Sequence, residues 1–107
     1  MSQEHINTFA PTTPRQFTLV IVKSVGARHG VSVEAIMSEH RGRGVVRARH
    51  EAWAEVYAYR PHWSYPEMGR RFNRDHTTIM YGIKKVVSGI IGQFCAALQI
   101  DWKGGAQ

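Results

Sequence analysis

Arg74-Asp75-His76-Thr77-Thr78 places five polar side chains within little more than one turn, directly ahead of a long apolar-periodic segment. Asp75 suits a helix N-terminus, where its carboxylate accepts from unpaired N–H groups and complements the helix dipole. Histidine and threonine in succession are mediocre helix formers, so their presence asks for another reason. Imidazole and hydroxyl groups donate and accept, and each threonine adds a methyl group. At the start of a helix this is chemistry that reads base edges in a DNA major groove. The plainer account is an over-polar helix cap. By themselves these residues leave both accounts open.

Charge distribution separates them. The 107-residue chain carries a formal net charge of +6, with ten basic and four acidic residues between Arg41 and Lys85, so the whole excess lies in that segment. A focused excess points to a polyanionic partner; a solubilising charge is more evenly spread.

Composition removes other classes. A length of 107 residues implies one domain with one small core, and 43% apolar residues with three Trp argue against disorder. The single cysteine, Cys95, excludes an internal disulfide framework and reads as a buried small hydrophobe. No apolar run reaches the ~18–20 residues of a membrane span. Met1 to Asn7 lacks the charge and hydropathy pattern of a secretory leader, so a cytoplasmic, nucleoid-associated protein with no membrane partner is expected. His5, His29, His40, His50, His62 and His76 show no metal-ligand spacing, so no metal site is expected. No nucleophile elbow or paired-carboxylate spacing occurs, so no catalytic residues and no enzyme are expected.

The elements read as helices throughout. Residues 1–16, with the cluster Pro11-Thr12-Thr13-Pro14, read as a flexible lead-in, 17–100 as the folded domain and 101–107 as a tail. Phe17 to His29 carries a one-sided apolar pattern, although Leu19-Val20-Ile21-Val22 has strand propensity. Ser32 caps a short turn, Val33 to Met37, and two glycines around Arg43 make a break. Val45 to Tyr59 is helical, and Pro61 ends it. Ser64-Tyr65-Pro66-Glu67 is a capping-box signature opening a helix from Tyr65 to Phe72. Asp75 opens the next helix, with Ile79, Ile83, Val86 and Ile90 on one stripe and Thr77, Tyr81, Lys84 and Lys85 on the other side. Trp53, Met68, Phe72 and Ile83 are the expected core. A short capped helix, a brief connector and a helix with a basic outer face make a helix-turn-helix in an all-α domain.

From about Thr18 to Gly89 the chain resembles the C-terminal DNA-binding domain of the bacterial chromosomal replication initiator family, DnaA, an all-α helix-turn-helix of the TrpR-like type. Three pieces carry the resemblance in order: Arg41-Gly42-Arg43-Gly44-Val45-Val46-Arg47-Ala48-Arg49; Ser64-Tyr65-Pro66-Glu67-Met68-Gly69, similar to S-L-P-E-I-G; and Arg74-Asp75-His76-Thr77-Thr78-Ile79, similar to the signature R-D-H-T-T-V.

The resemblance implies roles. Asp75, His76, Thr77 and Thr78 would read bases, with Arg74 and Tyr81 in the same DNA-facing set. Arg41 would enter the adjacent minor groove, and Arg43, Arg49 and His50 would make phosphate or loop contacts. Tyr65 and Pro66 would bring the first helix of the motif against the backbone. Lys84 and Lys85, with Arg70 and Arg71, would supply phosphate contacts in part. This sequence departs from the family pattern at His50 for Gln, at Tyr65 for Leu, and at Tyr57 where Lys can occur. The connector Phe72-Asn73-Arg74 is one residue shorter than the common form. These differences bear on which base sequence is preferred.

The family's full initiator has an ATPase module, whereas this chain has no G-x-x-x-x-G-K-[ST] loop, so no cofactor and no ATP binding are expected. The expected function is sequence-specific binding of double-stranded DNA at DnaA-box-like sites by a stand-alone module regulating replication initiation or transcription. The alternative is a protein-interaction adaptor that retains the fold. Its best support is the stripe Ile90, Ile91, Phe94 and Leu98, which also reads as a core cover or a homodimer contact.

Overall fold

Thr13 starts the first helix earlier than the apolar pattern does. In a computed structural model that describes residues 13–98, without the side chains of 92 and 94–96, α1 runs Pro14–His29. The Thr13 hydroxyl accepts from the Gln16 N–H at 3.1 Å, and the Gln16 side chain accepts from the Thr13 N–H at 3.2 Å. With Pro14 in the first turn this is a reciprocal cap. The lead-in expected over 1–16 therefore overlaps the helix: the Pro-Thr-Thr-Pro cluster ends as a helix start. Residues 1–12, the expected tail 101–107 and the Cys95 and Phe94 side chains lie outside the described residues.

α1 closes at Gly30, whose φ of 66° is left-handed. A Cβ on Gly26 would stand 2.4 Å from the Val31 carbonyl oxygen, so only glycine lets the chain fold this closely into α2, Val33–Met37. Ser32 caps α2 by accepting from the Ala35 N–H at 3.1 Å. α3 spans Arg43–Tyr59 and begins from Gly42 without a side-chain cap. α4 spans Tyr65–Phe72, with the Ser64 hydroxyl accepting from the Glu67 N–H at 3.2 Å. α5 spans His76–Ala97, passing through Gly89 without a break. No strand occurs among the described residues. The apolar run at 19–22 is helical because Thr18, Ile21, Val22 and Val25 then share one buried face.

α3 is the central element: it packs on α1 and α5, while α4 packs on α5 and α2 joins α1 to α3. The expected core residues Trp53, Met68, Phe72 and Ile83 are all buried, with Trp53 and Phe72 edge-to-face at 6.1 Å. Each such side chain contributes roughly 1.5–3 kcal/mol by leaving water. α3 and α5 cross at Gly82, where an added Cβ would come within 2.6 Å of the Trp53 ring. Arg28 and His29 at the end of α1 pair with Glu51 at 3.0 and 2.7 Å, and Arg28 also pairs with Glu55 at 2.7 Å. Burial works to raise the Glu51 carboxyl, but hydrogen bonds from His29 and Arg28 outweigh it and hold it below the usual range.

The stripe of α5 is only half used. Ile79 and Ile83 are buried and Val86 is half-buried, but Ile90 is 60% exposed. The stripe does not continue as core because α5 runs on past its crossing with α3.

Candidate nucleic-acid interface

A tight turn sets the angle between α4 and α5. Asn73 takes a left-handed φ of 56°, and the Arg74 N–H donates to the Gly69 carbonyl at 2.8 Å. A Cβ on Gly69 would sit 2.4 Å from the Arg74 carbonyl oxygen, so glycine is required there. Met68 and Phe72 on one side, and Ile79 and Ile83 on the other, anchor both helices in one core. What remains outward is the first turn of α5: Asp75, His76, Thr77 and Thr78 are all exposed.

Asp75 caps that turn. Its Oδ2 accepts from the Thr77 N–H at 2.9 Å and from the Thr77 hydroxyl. The Thr77 hydroxyl first, and then its N–H, hold the Asp75 carboxyl below its usual range. In the free protein, Asp75 and the Thr77 hydroxyl therefore answer each other.

The break expected over Ser38 to Gly44 is shorter, because α3 already begins at Arg43, and the loop from Ser38 to Gly42 is ordered. The Ser38 hydroxyl donates to the Ala35 carbonyl at 2.8 Å and accepts from the His40 N–H at 3.1 Å. His40 Nδ1 accepts from the Gly42 N–H at 3.0 Å. Arg74 reaches across from the α4–α5 turn and donates to the Ser38 carbonyl. The basic loop is thus tied to the start of α5, with Arg41 and Arg43 left exposed.

Arg49, expected as a phosphate or loop contact, is turned to the loop. It is 6% exposed, and its guanidinium donates to the carbonyls of Ile36, Ala35 and His40 at 2.8, 3.0 and 2.9 Å. A side chain whose fork is closed on its own backbone is not offered to a phosphate. The sequence did not reveal its burial, because an arginine beside a basic run reads as surface.

His50 is half-buried against Trp53, ring centroids 5.3 Å apart, and meets Tyr81 edge-on at 6.2 Å. Burial, then the charges of Lys85 and Arg49, push its imidazole below the ordinary value. It lines an open cleft of about 910 Å³ with Arg41, Arg43, Arg47 and Lys85, and among the described residues Glu51 is the only carboxylate on its wall. Arg47 was absent from the expected site, although its place four residues after Arg43 puts both on one side of α3.

Tyr65 is half-buried and stacked on Tyr57 with centroids 5.3 Å apart; burial, then Tyr57, push its phenol up. Pro66 beside it is exposed, as are Tyr81, Lys84 and Lys85, and the Lys85 ammonium lies 5.7 Å from the Tyr81 ring centre. Arg70 and Arg71 both pair with Glu67 at 2.5 Å, and Arg71 is drawn over the Trp63 ring at 4.5 Å, so Arg70 is the more exposed of the two. Among the described residues no three His, Cys, Asp or Glu side chains gather, and no helix is long and apolar enough to cross a membrane.

Two helices in one core, a closed turn between them and an exposed polar start to the second define a helix-turn-helix, here with a basic loop fastened beside it. The family model described as the bacterial DnaA protein helix-turn-helix matches residues 19–86, and the chain belongs to this family. Relatives named chromosomal replication initiator protein DnaA include those of Deinococcus radiodurans, 32% identical over 75% of this chain, and Rhizobium johnstonii, 36% identical over 74%. That of Agrobacterium fabrum is 37% identical over 66% of the chain. The chain spans 17%, 17% and 15% of the length of these three proteins. No solved structure gives a significant match.

Proposed function

We propose that the protein binds double-stranded DNA sequence-specifically through this motif, at sites like those of the DnaA family, and acts in the nucleoid on replication initiation or transcription. One observation carries the reading. Arg74 links the start of α5, which exposes His76, Thr77 and Thr78, to the loop that exposes Arg41 and leads into Arg43 at the start of α3. Base-reading groups and a groove-seeking arginine are thereby held on one rigid unit, the arrangement that combines major-groove and minor-groove contact.

In this reading Asp75, His76, Thr77 and Thr78 face base edges, and Arg41 enters the neighbouring minor groove. Arg43, Arg47, Lys84 and Lys85 neutralise phosphates, with His50 and Tyr81 between them. Tyr65 and Pro66 bring the N-terminus of α4 to the backbone. One domain, from Thr13 through the end of α5, carries the binding without nucleotide, metal or catalysis.

Titration against a random duplex library, with sequencing of the bound fraction, tests this directly. Enrichment of one short asymmetric motif is expected. If ~5–7 phosphates are neutralised, log K should fall against log salt with a slope of roughly −5 to −6. A slope near zero removes DNA from the account. Salt-dependent binding without enrichment leaves a non-specific binder and favours the adaptor.

A further inference from the structure

Two helix faces line the open cleft beside His50. Arg43, Val46, Arg47 and His50 face it from α3 at the spacing of one helical side. Lys85, Val86, Gly89 and Ile90 face it from α5 at matching spacing. A third helix packs against such a pair of faces. The lining has two characters. Arg41, Arg43, Arg47 and Lys85 are exposed cations, and α3 starts here without a side-chain cap, so its positive dipole end adds to them. Glu51 is already paired with Arg28 and His29. Val46, Val86 and Ile90 are apolar, Ile90 being 60% exposed, and a Cβ on Gly89 would meet nothing within 4 Å.

We propose that this cleft docks an acidic amphipathic helix of a partner protein. Its carboxylates meet Arg43, Arg47 and Lys85, and its apolar stripe covers Val46, Val86 and Ile90. Charge complementarity selects an acidic occupant. The apolar lining selects a protein, because a phosphate backbone has no apolar side chain to bury there. A second copy of this chain does not offer such a helix. Of the eight acidic residues, Glu51, Glu55 and Glu67 are paired with arginines and Asp75 caps α5. No two of the others, Glu4, Glu34, Glu39 and Asp101, lie three or four positions apart. Arg43 to Glu51 is ~12 Å along α3, room for two to three turns of the partner helix. The cations it would cover are those assigned to phosphates above, so partner and DNA exclude each other. The docking does not depend on the DNA reading; the exclusion does.

Fluorescence anisotropy on the full chain without DNA tests the docking. The probe is a labelled peptide of ~14 residues, with leucines at i, i+3, i+4 and i+7 and glutamates on either side of them. It should bind at ~10–100 µM, and exchanging its glutamates for glutamine, or its leucines for serine, should each weaken it about tenfold. Ile90→Ser and Gln93→Glu change the cleft outside the DNA-contact set. Each should weaken the peptide about fivefold or more, keep the wild-type melting temperature and leave DNA affinity within about twofold of wild type. Added peptide should displace a bound duplex. A peptide that fails to bind overturns the proposal. So does binding that survives the leucine-to-serine exchange or both cleft variants, because the cleft is then an anion-binding surface only. Docking that leaves DNA affinity untouched overturns the mutual exclusion. Docking by a chain that binds no DNA at all leaves the docking standing and sinks the DNA reading instead.

Discussion

Arg49 and Arg74 hold the same loop from two different elements. Arg49, from α3, donates to the carbonyls of Ala35, Ile36 and His40; Arg74, from the α4–α5 turn, donates to that of Ser38. Burial first, and the neighbouring charge of Arg74 second, push the Arg49 guanidinium below its ordinary value. Two like charges are tolerated there because four backbone carbonyls accept from them. The cations that hold the loop are therefore different from those it displays.

Removing Arg49 should harm folding before binding. Arg49→Ala takes the guanidinium from the carbonyls of Ile36, Ala35 and His40, of which Ala35 keeps the Ser38 hydroxyl as a donor. A loss of ~1–3 kcal/mol is expected in urea denaturation. Arg49→Lys keeps the charge but not the planar fork, so an intermediate loss is expected. If Arg49→Ala folds with full stability and instead weakens binding to every DNA sequence, the residue is a phosphate contact after all.

His50 predicts a pH dependence with a definite sign. Its imidazole is pushed down by burial and by Lys85 and Arg49, so the unfolded chain takes up a proton at a higher pH than the folded one. Stability from this residue is present above the unfolded value of ~6.5 and is lost as pH falls through the lower folded value. Melting temperature should drop across that window, and His50→Gln should flatten the drop there. A profile unchanged by the substitution would assign the effect to other groups. Glu51, also held low, acts in a lower, carboxylate window, being lost as pH falls through its folded value.

The sequence told most where a residue's partner was local. Caps at Ser32 and Ser64 and the cap at Asp75 follow from neighbours within three positions, and each appears in the fold. In α3, Ala48, Ala52 and Val56 share one helical stripe and are buried, although Tyr59, the next position on that stripe, is exposed. Roles set by distant partners were not legible. Arg49 looks like its basic neighbours until α2 brings two carbonyls to it and the loop that follows brings a third. Ile90 fits the stripe of Ile79 and Ile83, yet nothing in that spacing says where α3 crosses α5. Thr13 and Pro14 read as a break because the same residues serve turns and helix starts alike.

Two glycines of α5 should respond oppositely to alanine. At Gly82 the new methyl would meet the Trp53 ring at 2.6 Å and His50 at 2.8 Å, and the buried indole has little room to move. A loss of ~1–3 kcal/mol is expected, as for overpacking in general. At Gly89 nothing lies within 4 Å, so alanine should add ~0.5–1 kcal/mol by restricting the unfolded helix segment. Chemical denaturation of both variants checks the contrast. Equal effects would place the α3–α5 crossing elsewhere.

Arg41 should act at one end of the DNA site. It is exposed on a loop that is held in place. Arg41→Ala should cost ~1–2 kcal/mol of specific binding and relax preference only beside the adjacent minor groove. Competition titrations with single-base variants of the selected site measure this. Uniform weakening across the variants would reassign Arg41 to a phosphate.

His76 and Thr77 give the test that separates a reader from a cap. Both are exposed in the first turn of α5, and the core stripe begins only at Ile79. His76→Ala should change stability by no more than ~0.5 kcal/mol, as surface substitutions do. Thr77→Ala also removes the hydroxyl that donates to Asp75, so a slightly larger loss is expected, below ~1 kcal/mol. Both should lower specific affinity by ~1–3 kcal/mol while barely changing affinity for unrelated duplexes. Thr77→Ser divides the threonine's contribution: it keeps the hydroxyl for Asp75 and removes the methyl that can meet a thymine methyl. If the methyl reads the base, Thr77→Ser should lose preference at a single thymine and nowhere else. Lys84→Ala is the internal contrast, lowering binding to all sequences and flattening the salt slope by about one unit. Should His76→Ala and Thr77→Ala unfold the domain, or leave sequence preference untouched, Arg74 to Thr78 is a helix cap and the reading surface must be sought elsewhere.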